Sequence, residues 1–142
     1  MPTSERFKPI QKIASHKERK AAAALGESLK RREAAAQRLA ELRQYQTEYL
    51  ERFSNAAARG LSSSQALEYQ VFIAKLEKAI AQQEEIVAQS QHACEHSKAD
   101  WRGRYTKAKA MENAVGRMQQ AEREDQSRKE QADSDERAQR KR

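Results

Sequence analysis

The sequence predicts an all-α fold: a long antiparallel two-helix coiled coil, or helical hairpin, followed by a frayed or disordered charged C-terminal tail. Three observations predict it. Ala, Glu, Gln, Lys, Arg and Leu dominate the 142 residues, and these are the strongest intrinsic helix formers. Apolar residues recur three or four apart through two long stretches, which is the coiled-coil signal. Helix breakers are few, four Gly and two Pro, and one short Gly–Ser stretch around Gly60 is the only internal break the pattern suggests.

The composition also excludes an ordinary packed globule. The chain is 37% hydrophobic and 35% charged, against about 45–50% and about 25% for an average domain. Little interior per residue implies an elongated molecule.

Pro9 stands near the start of the first helix, where a missing N–H costs little, and no proline follows it. Helix one is expected over about 6–57. Its apolar stripe is Ile10, Ile13, Ala14, Ala21, Leu25, Leu29, Ala35, Leu39, Leu42, Tyr49 and Phe53. The break at 55–64 reads NAAARGLSSS. Gly60 suits the left-handed position past a helix end, and Ser62 with Gln65 has the spacing of a capping box. The turn is therefore expected at about 58–62.

Helix two is expected over about 63–121. Its stripe is Tyr69, Ile73, Leu76, Ile80, Val87, Cys94, Trp101, Tyr105, Ala108, Met111, Val115 and Met118. A hairpin folded at about residue 58 would bring Leu42 near Ile73, Leu29 near Val87 and Ile13 near Trp101. Residues 1–121 thus form one hairpin domain, and the unpatterned, charged residues 122–142 form a flexible tail.

Few residues invite chemistry. His92 and His96 are four apart on one face while Cys94 points toward the seam, and the chain offers too few further ligands for a zinc site. No Gly-rich phosphate loop, HExxH or GxSxG is present. An enzyme is not expected, nor any cofactor or metal. The single Cys94 and an N-terminus without an apolar run point to the cytoplasm. No apolar run reaches the roughly 18 residues of a membrane span, so contact with a membrane would be peripheral and through partners.

Near the break, Leu42, Tyr45 and Tyr49 stand at i, i+3 and i+7, and Phe72, Leu76 and Ala79 at i, i+4 and i+7. The pairing puts the two stripes side by side. With the seam there already filled by Leu39, Phe53, Tyr69, Ile73 and Ile80, some of Tyr45, Tyr49, Phe72 and Leu76 are left partly exposed, a docking surface for another protein. The alternative is that this wider face packs on a second copy of the chain or on the loop. Net charge is +7, with 12 basic and 7 acidic groups in residues 1–53. Lys12, Lys17, Arg19, Lys20, Lys30, Arg31 and Arg32 could face nucleic acid, but Glu18, Glu27 and Glu33 interleave with them and no stacking platform accompanies them. A charge-steered protein contact is at least as consistent.

Arg6 and Phe7 followed by Ile10 and Ile13, then Leu39, Leu42, Tyr45 and Tyr49, the break near residue 60, and Phe72 with Leu76 resemble the FliJ family of flagellar type III export proteins over about residues 5–120. The resemblance implies a stalk like the gamma subunit of rotary ATPases. Its terminal end would enter the ring of the export ATPase FliI and promote assembly of the hexamer. Near its turn it would bind the cytoplasmic region of the export-gate protein FlhA, and it would recycle export chaperones. The implied gate-binding residues are Leu42, Tyr45, Tyr49, Phe72, Leu76 and Ala79, with Arg38 and Gln83 standing where the family usually has glutamine and histidine. Arg19, Lys20, Arg31 and Arg32 are candidates for the ATPase contact, without a matched motif. The equivalent stalk of a virulence secretion system and a basic nucleic-acid-binding coiled coil are the competing readings.

Overall fold

Helix formers run on both sides of one Gly–Ser break, and the computed structural model, which describes residues 3–141, has two helices: α1, Thr3–Arg59, and α2, Ser63–Arg140. No strand occurs among the described residues. The helices pack antiparallel as a helical hairpin. Gly60 adopts φ +95°, a region closed to most side chains, and its N–H donates to the Ala57 carbonyl at 3.2 Å. The Ser62 N–H then donates to Gln65 Oε1 and the Gln65 N–H to Ser62 Oγ, both at 3.1 Å. This reciprocal capping box satisfies donors that a helix start otherwise leaves unpaired.

The helices contribute to two compact units, here the turn unit, residues 24–98, and the terminal unit, residues 3–23 with 99–141. In the turn unit Ala35, Leu39, Leu76, Ile80 and Cys94 are buried, while Leu42, Tyr49, Phe53, Tyr69, Ile73 and Val87 are half-buried. Burial alternates at steps of three and four, as knobs-into-holes packing requires. Each well-covered aliphatic side chain contributes about 1.5–3 kcal/mol.

The register differs from the one expected. Ser28 Oγ lies 2.9 Å from Ser97 Oγ, and Tyr49 stacks on Phe72. These contacts centre the fold-back on 60–62 instead of 58, which slides partners by several residues along the seam. Both registers present the same faces, because the apolar residues recur at steps of three and four. A polar pair discriminates between them: the Ser28–Ser97 contact belongs to the observed one, whereas the Gln83 amide, which donates to the Ala35 carbonyl at 3.0 Å, falls between the two.

In the terminal unit Ser4, Ala14, Ala21 and Val115 are buried. The Trp101 indole N–H donates to Glu18 Oε1 at 3.0 Å, so Trp101 meets Glu18 and not Ile13. The two isoleucines drop out of the seam: Ile10 and Ile13 are 49% and 57% exposed, and half-buried Gln11 and buried Ala14 take their places. Likewise Tyr105 is exposed while Arg104 is half-buried. A strict three–four repeat along each helix has prevailed over local hydrophobicity.

The first helix also begins earlier than its apolar stripe suggests, at Thr3, which puts Pro9 beyond the first turn. A clasp from α2 accounts for the extension. Glu122 accepts from the Ser4 N–H at 2.9 Å and from Ser4 Oγ at 2.6 Å. A carboxylate there satisfies the helix's free donors and complements its dipole. These bonds hold the Glu122 carboxyl below its ordinary range.

Beyond Glu122, where the sequence suggested a flexible tail, α2 stays helical to Arg140 with every side chain exposed. Its composition supplies the reason. Pairs one turn apart, Lys129–Asp125 at 3.4 Å and Arg140–Glu136 at 2.9 Å among them, support a solvated helix by tenths of a kcal/mol each. The last residue lies outside the described ones.

Candidate functional site near the turn

The turn unit concentrates the aromatic side chains because Tyr49 and Phe53 on α1 are four apart, as are Tyr69 and Ile73 on α2, and both pairs face inward. Tyr49 and Phe72 stack with ring centroids 4.1 Å apart at 27°. Tyr69 packs tilted against Tyr49 at 5.8 Å and Phe53 at 5.4 Å. The Arg52 guanidinium stands 5.8 Å from the Tyr49 ring centre, within cation–π range. An open hollow of about 720 Å³ lies beside them, lined by Tyr49, Arg52, Arg59, Glu68 and Tyr69 among others.

The eight residues implied as gate-binding divide into two groups. Leu76 is buried at 8% exposure, and Leu42 is half-buried. Gln83 is half-buried too, engaged with the Ala35 carbonyl. Leu76 is thus not part of the exposed stripe, since its position falls on the inward heptad face. By contrast Tyr45 is 54% exposed, Phe72, Tyr49 and Ala79 are half-buried, and Arg38 is exposed and pairs with Glu41 at 3.9 Å. Of the apolar residues in this set, Tyr45 is the most exposed, and it stands beside the half-buried Tyr49–Phe72 stack.

Four further apolar side chains in this unit, Leu50, Leu67, Val71 and Ile86, are exposed and were missed from the sequence. Lying off the three–four stripe, they could have been found by asking which apolar residues the heptad leaves over. Among the candidate ATPase-contact residues, Arg19 and Lys20 belong to the terminal unit and Arg31 and Arg32 to the turn unit, all exposed. His92 and His96 are exposed and Cys94 is 2% exposed. No group of His, Cys, Asp and Glu that could hold a metal occurs among the described residues.

Charge is unequally shared. Residues 3–23 with 99–121 carry eleven Lys or Arg against four Asp or Glu, which equals the chain's whole net charge of +7, while residues 24–98 carry ten of each. The turn unit offers a neutral, aromatic surface and the terminal unit a basic one. No helix of the described residues is long and apolar enough to cross a membrane.

A paired-helix hairpin with aromatic side chains packed beside its bend has the architecture of a stalk protein. The family is defined by comparison: a family model described as flagellar FliJ protein matches residues 3–141, and the chain belongs to the FliJ family. It is accordingly a flagellar type III export-related stalk protein, of a family that is a non-catalytic export component. No curated protein and no solved structure matches the chain.

Proposed function

We propose that this protein is a cytoplasmic, membrane-peripheral stalk that links the export ATPase FliI to the gate protein FlhA, promotes assembly and coupling of the ATPase ring, and recycles export chaperones. The carrying observation is Tyr45, solvent-exposed beside the Tyr49–Phe72 stack in an otherwise charge-balanced unit. Large aromatics in such a setting supply most of the energy of a small protein interface, through desolvation of a few rigid rings. The gate protein is the partner assigned to this surface, and the basic terminal unit, with Arg19 and Lys20, is assigned to the ATPase.

The test is a binding titration with the cytoplasmic domain of the gate protein. Tyr45→Ala with Phe72→Ala should abolish binding while far-UV circular dichroism keeps its helical signal. Retained affinity in that double variant would overturn the assignment. A parallel pull-down with the ATPase should lose yield on Arg19→Glu with Lys20→Glu and be indifferent to Tyr45→Ala.

A further inference from the structure

The terminal unit contains a groove for which the seam has no use. Ile10, Ile13 and Lys17 stand at i, i+3 and i+7 on α1, and Arg104, Lys107 and Met111 have the same spacing on α2. Such a spacing puts each trio on one helical face. The two rows border a cavity of about 150 Å³ with Ala14 beside it. Half of each isoleucine is in water, although the seam between the helices is complete without them. Among the described residues neither Lys17 nor Lys107 makes an ion pair, and Arg104 pairs only along its own helix, with Asp100 at 3.6 Å.

We propose that this groove is a docking site for an acidic amphipathic helix of a partner protein, one that inserts neighbouring apolar side chains between Ile10, Ile13 and Met111 and sets carboxylates against Lys17, Arg104 and Lys107. Charge complementarity selects the occupant. The paired part of the unit holds the chain's entire net charge, so an acidic segment is attracted at long range and a basic one repelled. Concavity selects a helix over a flat anionic membrane: two ridges with an apolar floor suit a helix laid in a groove, whereas interfacial anchoring needs a continuous apolar face, and here the isoleucines are bordered by Lys17, Arg104 and Lys107. The proposal deepens the reading of the terminal unit as a contact surface by naming the chemistry of what it contacts, and its partner chemistry does not depend on the ATPase being that partner.

The test uses the full-length chain and a fluorescent designed peptide with Leu at i, i+3 and i+7 and Glu on the flanking positions. Fluorescence anisotropy should show saturable binding that weakens as salt rises. Ile13→Asp and Lys107→Glu should each weaken it at least about tenfold, Tyr45→Ala should leave it unchanged, and a peptide with Gln for every Glu should bind at least about tenfold less well. Both substituted side chains are solvent-facing, and circular dichroism of each variant reports that the helices persist. Equal affinity of wild type and both variants, or no saturable binding, overturns the proposal. So does a preference of the groove for phosphatidylglycerol vesicles over the peptide, with the same dependence on Ile13, which would make it a membrane-binding surface. Failure of the peptide leaves the ATPase pull-down standing, and the converse holds.

Discussion

Replacing Tyr49 and Phe72 by alanine, singly and together, tests whether these two rings hold the turn unit in its observed register. Their centroids are 4.1 Å apart at 27°, and such aromatic pairs are worth about 0.5–1.5 kcal/mol beyond the area they bury. Truncating a fully buried aromatic costs about 3–5 kcal/mol; both rings are half-buried, so each single variant should lose about 2 kcal/mol. If the rings touch, the second truncation removes less than the first, because the stack is already gone. The double variant should therefore fall short of the summed losses by about 1 kcal/mol. Urea unfolding of the four proteins, followed by circular dichroism at 222 nm, measures this directly. Losses additive to within about 0.3 kcal/mol would show that the side chains do not meet and would refute the register inferred from them.

Four other substitutions separate packing, turn and helix cap from surface. Leu76→Ala should destabilise the fold by about 2–3 kcal/mol, since that side chain is buried, whereas Tyr45→Ala should change stability by less than about 0.5 kcal/mol; paired urea midpoints check both. Gly60→Ala forces a side chain into a left-handed backbone position and should cost about 1 kcal/mol, read as a thermal shift of about 3 °C. Glu122 has a folded pKa below its ordinary 4.5. Its clasp on Ser4 therefore stabilises fully above that ordinary value and is lost as pH falls through the lowered one. The stability gap between wild type and Glu122→Gln should accordingly narrow as urea midpoints are taken from pH 7 down to pH 3, and a gap that widens would contradict the clasp.

The fold was readable because its determinants are local. Intrinsic propensity, one Gly at a helix end and a Ser–Gln capping box need no tertiary information, and each was visible in the order of residues. What the sequence concealed was the register. Apolar residues that recur every three or four positions keep the same faces together after a shift of a few residues, so Trp101 could be paired with Ile13 as well as with Glu18 until the exact seat of the bend was known. The same ambiguity blurred the surface. Leu76 was grouped with Tyr45 by the pairing of their two stripes, yet burial separates them, and Ile10 and Ile13, which look like seam residues, are about half exposed. The N-terminal extension to Thr3 was hidden because its cap comes from Glu122, more than a hundred residues away.

Cysteines introduced at Ser28 and Ser97, in a Cys94→Ala background, put the hairpin and its register to the most direct test. The two hydroxyls are 2.9 Å apart, so mild oxidation should yield an intramolecular disulfide in high yield, seen as a monomer with shifted mobility on a non-reducing gel. The companion pair at Ser28 and Val87, which a bend at residue 58 would have brought together, should stay unlinked. Linkage of 28 to 87 instead of 97, or crosslinking only between separate chains, would contradict the account.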